Sequence, residues 1–270
     1  MIPKALTIAA SDSGGGAGIQ ADLKSFSAMG VYGASVLTAL TAQNTRRITA
    51  IHDIPADFVK SQMNAVFEDI TINSVKIGML YRPSIIMTVA ESLKSYHSGD
   101  IVLDPVMIAK SGDILLPEEA IGSLVNDLFP QATLVTPNLY EAAHLLDEEI
   151  AIDDDSIERQ ATAIIDMGPQ SVLIKGGHAQ TEEAKDFLLT ANGKSVWYSS
   201  PFIFNQNTHG TGCSLSSAIA ARLAHGDGLE DAIFSSKAWL SQAIQHSKKL
   251  DVGLGSGPVH HFHHLWPQEG

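Results

Sequence analysis

Apolar and polar residues alternate along the chain in two distinct rhythms. Short runs rich in β-branched residues recur at "ALTIAA" (5–10), "ASVLTAL" (34–40), "SVKIGML" (74–80), "DIVLDPV" (100–106), "ATLVTPN" (132–138) and "SVLIKGG" (171–177). Between most of them lie stretches with helical apolar spacing: "PADFVKSQMNAVFEDI" (55–70), "PSIIMTVAESLKSYH" (83–97), "EEAIGSLVNDLF" (118–129) and "DSIERQATAIIDMG" (155–168). Strand and helix signals taking turns predict βαβ units and a mainly parallel sheet. The strand runs are apolar throughout, as expected when helices cover both faces of the sheet.

The rhythm breaks at "KDFLLTANGKSVWYSS" (185–200), where Asn192-Gly193 predicts a two-residue turn between antiparallel strands. Two helices then finish the chain: "CSLSSAIAARLAHG", ended by Gly226, and "LEDAIFSSKAWLSQAIQHSKK". Neither a repeat nor a linker divides the sequence, so a single α/β domain over residues 1–270 is the expectation. In such sheets the ligand lies beyond the carboxyl ends of the strands. The segments that follow the strands are rich in glycine and polar residues: "SDSGGGAG", "TAQN", "GML", "DPV", "TPNLYE", "KGGH" and, after the hairpin, "NTHGTGC".

Composition narrows the function. A formal net charge of −13, from 17 basic and 30 acidic residues, argues against a general nucleic-acid or anionic-membrane surface. Any phosphate site is therefore local. The single cysteine excludes an intrachain disulfide framework, and the apolar segments are too short or too interrupted to span a bilayer. The opening "MIPKALTIAASDSGGGAG" lacks a signal-peptide pattern, so a soluble cytoplasmic protein is expected.

Individual motifs allow two readings each. "SDSGGGAGIQADLKSF" (11–26) lacks the Gly-Lys-Ser/Thr ending of a P-loop, and Gly18 follows Gly16 by two residues where a dinucleotide fingerprint needs three. It reads either as a turn before a helix or as bare backbone that a small ligand can approach closely. "KSGD" (110–113) has the composition of a mobile flap. Asp104 ends a strand, where it could hold a cation or cap the loop. Asn138 and Glu141 have capping-box spacing, and the same pair would face the ligand end of the sheet, where a carboxylate beside phosphates holds hydrated Mg²⁺.

Gly210, Thr211 and Gly212 precede a helix whose first amides lack partners and carry the positive end of the macrodipole. That is the pattern of an anion hole. At the same terminus Cys213 reads either as a thiol whose thiolate is favoured or as a small packing residue. The tail "GPVHHFHHLW" holds four of the 11 histidines, in a spacing that fits no zinc pattern, and reads as a surface tail.

Taken in order, "SDSGGGAGIQADLK", "TAQNT", "KIGML", "VLDPVM.AKSGD.LL", "TPNLYEA", "VLIKGGH" and "NTHGTGC" resemble the hydroxymethylpyrimidine/phosphomethylpyrimidine kinases of thiamine biosynthesis, in the ribokinase-like superfamily. The similarity runs from about residue 5 to 266 and includes the histidine-rich tail. It implies a mostly parallel sheet between helices and two successive ATP-dependent phosphorylations of 4-amino-5-hydroxymethyl-2-methylpyrimidine, with Mg²⁺ and in a homodimer.

By the same resemblance Gln43 reads the aminopyrimidine edge, Ala17, Met79 and Val106 wall the ring, and Asp12 belongs to the substrate site. Cys213 becomes the base near the hydroxymethyl group, and Gly210 and Gly212 lend amides to the hole. Lys175, Lys237, Thr211 and Asn138 face the nucleotide; Glu141 and Asp104 organise Mg²⁺. The chain departs from the family at Arg46-Arg47 and at Ala10, neither of them a catalytic group. A pyridoxal kinase of the same superfamily is the alternative, because its substrate also carries a hydroxymethyl on a flat ring. A fold-retaining regulatory protein would have no need of the intact glycine turn, and a cysteine hydrolase would need a histidine and a third orienting group.

Overall fold

The computed structural model of the chain describes residues 1–96, 99–107, 116–176 and 182–266. Strands β1 (Lys4–Asp12), β2 (Tyr32–Gln43), β3 (Ile48–Asp53), β4 (Ser74–Ile77), β5 (Asp100–Leu103), β6 (Leu134–Val135), β7 (Ser171–Lys175), β8 (Glu183–Thr190) and β9 (Ser195–Pro201) form one sheet in the order β3-β2-β1-β4-β5-β6-β7-β8-β9. The six predicted runs supply the parallel part; β3 joins β2 antiparallel at one edge, and β8 and β9 are antiparallel at the other.

The helices are α1 (Gly18–Ala28), α2 (Ala56–Phe67), α3 (Pro83–Tyr96), α4 (Glu118–Ser123), α5 (Leu139–Leu146), α6 (Asp154–Ile165), α7 (Thr211–Ala224) and α8 (Leu229–Gln245). Alternate strand residues explain why the runs are apolar throughout. Ile101 and Leu103 pack under α2 to α6, whereas Val102 between them packs under α1, α7 and α8. Val172 and Ile174 divide from Leu173 in the same way. Each such side chain, fully buried, contributes roughly 1.5–3 kcal/mol of transfer free energy.

Three details differ from the sequence reading. The helix expected over 118–129 is α-helical only to Ser123; a π turn (Leu124–Leu128) and a 3₁₀ turn (Phe129–Gln131) follow, the latter holding Pro130, which has no amide to extend a ladder. The hairpin turn spans three residues, 191–193, because Thr190 and Lys194 still pair: Thr190 N donates to Lys194 O (2.9 Å) and Lys194 N donates to Thr190 Oγ1 (3.1 Å). β3 lies where no strand was expected. It is a mostly exposed edge strand, anchored where Ile48 and Ile51 meet Ala10, Ala39 and Met79.

Small residues bring α7 against the sheet. Ser214, Ser216, Ser217, Ala218, Ala220 and Ala221 are buried, and Ser74 Oγ of β4 donates to Ala220 O across the contact (2.7 Å). Because β1 leads into α1 on one face of the sheet and its neighbour β4 leads into α3 on the other, their following loops diverge and leave a crevice at the carboxyl edge. The amino end of α7 faces that edge. The flap expected at 110–113 falls outside the described residues, as do the last two residues of "KGGH".

Candidate active site

The turn into α7 combines a contact that only glycine permits with a helix start that no side chain caps. Gly210 takes a left-handed conformation (φ 75°), and a Cβ there would stand 1.8 Å from Gly16 O, so only glycine lets the two glycine-rich loops touch. The helix ladder begins with Ser214 N donating to Gly210 O (2.9 Å), which leaves the Gly212 and Cys213 amides ahead of it. Helices α5 and α6 close their first turns with capping boxes, whereas α7 has no side-chain cap and no acid in its first turn. Its positive end is therefore uncompensated by its own residues. Thr211 plays a different part: its hydroxyl donates to Thr208 O (2.7 Å) and ties the turn together.

A cation and two carboxylates stand next to this turn. Lys175, at the end of β7, donates to Asp104 Oδ1 (2.7 Å), and a Cβ on Gly212 would lie 3.3 Å from Lys175 Nζ and 3.5 Å from Asp104 Oδ2. Asp104 also accepts from Thr136 (3.1 Å). Burial would raise its pKa, but Lys175 and Lys76 hold it below the ordinary carboxylate range. Glu141 does form the capping box with Asn138: Glu141 N donates to Asn138 Oδ1 (2.9 Å) and Asn138 N to Glu141 Oε2 (2.8 Å). Burial, helped by the charge of Asp104, pushes its carboxyl up to about 7 in spite of Lys175.

No cluster of three or more His, Cys, Asp or Glu suited to hold a metal ion is present among the described residues. The pair of Asp104 and Glu141 does fit a hydrated Mg²⁺, which usually keeps several waters and takes its other ligands from phosphates.

At the other end of the crevice Asp12 organises the loop after β1. Buried, it accepts from Gly14 N (2.8 Å), Gly16 N (3.1 Å), Ala17 N (2.9 Å) and His209 Nε2 (2.9 Å). Burial alone would raise its pKa; the bonds from His209 and the loop amides hold it below the usual value. Gln43, at the end of β2, has its backbone clamped by Ser13 Oγ, which accepts from Gln43 N and donates to Gln43 O, both at 2.8 Å. Met79 and Val106 pack together beside Ala10 and Ala39. Ala17 lies against Gly210, which joins the two halves of the site.

Lys237, expected to face the nucleotide, donates to Asp186 Oδ2 (2.5 Å), and Asp186 Oδ1 accepts from Gly176 N (3.1 Å), which ties Lys237 to the segment after β7 through that carboxylate. One reading of Cys213 needs correction. Cys213 does not have its thiolate favoured. It keeps some exposure, yet burial of the thiol, together with Asp22 and Asp104, outweighs Lys76 and the Gly18 amide and pushes it up to about 11. Burial is the largest of these effects.

The tail is also not a surface appendage. Val259, His260 and His261 are buried, His261 Nε2 is 2.9 Å from Ser214 Oγ, and Trp239 packs near the rings of His261 and His263. Burial pushes His261 down to about 3. The residue after the thiol is thereby braced by a neutral imidazole.

Two further residues escaped the sequence reading. Lys76 and Asp22 form an ion pair (2.9 Å) with fully buried side chains, and Thr7 and Ser217 donate to the same carboxylate at 2.6 and 2.7 Å. Lys76 stands in a strand run that reads as apolar, and Asp22 in an amphipathic helix, so only the close approach of α1, β4 and α7 reveals their pairing. His209 had a local signal, its place next to the glycine turn, but nothing in the sequence pointed to Asp12 as its partner.

The family model described as phosphomethylpyrimidine kinase matches residues 12–260. The hydroxymethylpyrimidine/phosphomethylpyrimidine kinase of Rhizobium meliloti (strain 1021) is 51% identical over 262 residues, covering 97% of this chain and 98% of the relative. Among solved structures, a phosphomethylpyrimidine kinase from Clostridium difficile 630 is similar with a TM-score of 0.79 and 45% identity, over 90% of this chain and 100% of that one. An ADP complex of Bacillus subtilis pyridoxal kinase gives a TM-score of 0.88 at 35% identity, over 97% and 98%. Backbone similarity thus embraces both ring classes, while sequence identity is higher toward the pyrimidine kinases.

Proposed function

The chain belongs to the phosphomethylpyrimidine kinase family, and from that premise we propose that it uses ATP to phosphorylate 4-amino-5-hydroxymethyl-2-methylpyrimidine and then its monophosphate. The observation that carries the assignment of parts is the join at Gly210, which sets a ring-binding end (Gln43, Met79, Val106, Ala17) directly against an uncapped helix terminus.

In this reading the pyrimidine lies along Met79 and Val106 with its edge toward Gln43 and its hydroxymethyl toward Cys213. The Gly212 and Cys213 amides and Lys175 stabilise charge on the transferring phosphoryl group. The transition state is loose in most analyses, so orientation matters more than a strong base. Cys213 in the free protein holds its proton, and its part is to line the hole; the substrate hydroxyl gives up its proton late, to an oxygen of the transferred phosphoryl group, as the new O–P bond forms and the P–O bond to the leaving ADP breaks. Thr211 ties the turn, and Lys237 steadies Gly176 through Asp186.

Glu141 and Asp104, with Asn138 fixing Glu141, would hold hydrated Mg²⁺, which when bound neutralises phosphate charge. A homodimer is the assembly we propose, and the cytoplasm, where ATP is available, is the compartment; among the described residues no helix is long and apolar enough to cross a membrane. Incubation with Mg·ATP and the pyrimidine, followed by mass spectrometry, tests the activity: successive gains of one and two phosphoryl groups are expected, and exclusive phosphorylation of pyridoxal would overturn it.

A further inference from the structure

The ring end of the site contains a hydrogen-bond circuit whose polarity can be worked out. The two ends of the Gln43 carboxamide lie 3.3 Å from His209 Nε2 and 3.1 Å from Thr41 Oγ1. His209 Nε2 is also 2.9 Å from Asp12 Oδ2. An ionised carboxylate only accepts, so Nε2 carries the proton and donates to Asp12. It then has no lone pair to offer. With Gln43 Nε2 as the nearer atom two donors would face each other, and half a turn of the carboxamide, which leaves its shape unchanged, removes the conflict.

The other end supports the same orientation. Thr41 Oγ1 gives its single proton to Ser11 O (2.9 Å), so toward Gln43 it can only accept. An amide nitrogen there is satisfied, and an amide oxygen is not. Reading the chain from Asp12 through His209, Gln43 and Thr41 to Ser11 O, facing donors and facing acceptors are avoided in only one arrangement: the Gln43 oxygen toward His209, whose single N–H is shared between Asp12 (2.9 Å) and that oxygen (3.3 Å), and the Gln43 nitrogen toward Thr41. Each end then keeps one unused position, a lone pair on the oxygen and a proton on the nitrogen.

We infer that His209, held by Asp12, is the positioning residue that sets the polarity of the Gln43 carboxamide and thereby selects rings that carry an amine donor beside a ring-nitrogen acceptor. The inference rests on the proposed pyrimidine kinase reading and deepens it. The amine meets the oxygen on the His209 side, and the ring nitrogen meets the N–H on the Thr41 side. A ring without that ordered donor and acceptor leaves one amide end unpaired. His209 is held from behind as well: its backbone N donates to Gly257 O (3.1 Å), and its ring fills the space where Gly16 has no Cβ, at 2.3 Å from the position a Cβ would take.

The test compares the aminopyrimidine with its analogue lacking the 4-amino group. KM for the substrate and the competitive inhibition constant of the analogue are measured in the whole enzyme, in His209→Leu, in His209→Gln, whose terminal amide can donate where Nε2 did, and in Thr41→Val. His209→Leu is expected to raise KM for the aminopyrimidine about 10-fold or more, with the analogue's constant shifting less than about threefold, because one hydrogen-bonded group is worth that much discrimination. His209→Gln should recover most of the loss, and Thr41→Val should repeat it. Equal shifts for both ligands would indicate a merely structural histidine and overturn the inference, as would unchanged values for both. If His209→Leu does not fold, the same comparison in Thr41→Val and His209→Gln decides. An unsubstituted enzyme that fails to phosphorylate the pyrimidine would instead overturn the functional reading.

Discussion

Three glycine-to-alanine substitutions separate what the α7 turn does for stability from what it does for chemistry. Gly226, at the far end of α7, has φ 92° and open space where a Cβ would go. Alanine there meets only the left-handed backbone penalty, about 1–2 kcal/mol. Gly210 has nearly the same conformation, φ 75°, but its Cβ would lie 1.8 Å from Gly16 O, so the two loops would have to part. Overpacking of that kind adds roughly 1–3 kcal/mol, for a total of about 2–5 kcal/mol. Gly212 has no left-handed conformation to lose, and alanine in a helix gains about 0.8–1 kcal/mol over glycine. Its methyl, however, would stand 3.3 Å from Lys175 Nζ at the mouth of the anion site.

Stability and activity are therefore expected to rank the variants differently. In urea unfolding Gly212→Ala should be at least as stable as the parent, Gly226→Ala less so and Gly210→Ala the least. In kcat/KM Gly226→Ala should stay near the parent, whereas Gly212→Ala and Gly210→Ala should fall on the order of 100-fold, the usual cost of displacing a reacting group by about 1 Å. Two results would refute the reasoning: Gly210→Ala no less stable than Gly226→Ala, or Gly212→Ala within threefold of parental activity.

Other substitutions probe the buried charges. Lys76→Met leaves the Asp22 carboxylate without its cation in a fully buried setting, and urea titration should register a loss of about 3–5 kcal/mol; adding Asp22→Leu should recover part of it, and a loss under about 1 kcal/mol for Lys76→Met alone would contradict the account. Iodoacetamide labelling of Cys213 in the free enzyme should be slow at pH 7 and accelerate about tenfold per pH unit, because its thiol titrates only near 11; a plateau near neutrality would show a resident thiolate. Since Glu141 loses its charge on protonation near pH 7, turnover at limiting Mg²⁺ should decline from pH 8 to pH 6. Glu141→Gln should flatten that decline and raise the half-saturating Mg²⁺ concentration about 10-fold or more.

What the sequence revealed depended on range. The parallel strands were legible because residues such as Ile101, Val102 and Leu103 are apolar on both sheet faces, and the α7 turn because glycines bracket a helix start. β3 was not, since an exposed edge strand needs only Ile48 and Ile51 to anchor it. The thiolate reading of Cys213 failed for a physical reason: the dipole of α7 is a local property of the sequence, whereas burial of the thiol, and after it the charges of Asp22 in α1 and Asp104 just past β5, come only with the fold. Lys237 shows the same limit, because its partner Asp186 lies 51 positions away. Motif order marked the loops that the fold gathers at one edge of the sheet, but which charges neutralise one another became visible only with the fold.

The most direct test of the central claim follows a single incubation by mass spectrometry. Enzyme, Mg·ATP and equal concentrations of 4-amino-5-hydroxymethyl-2-methylpyrimidine and pyridoxal are combined, and both rings are monitored over time. The pyrimidine should gain one phosphoryl group and then a second, well ahead of any gain on pyridoxal. Rapid phosphorylation of pyridoxal with the pyrimidine unchanged would contradict the assignment.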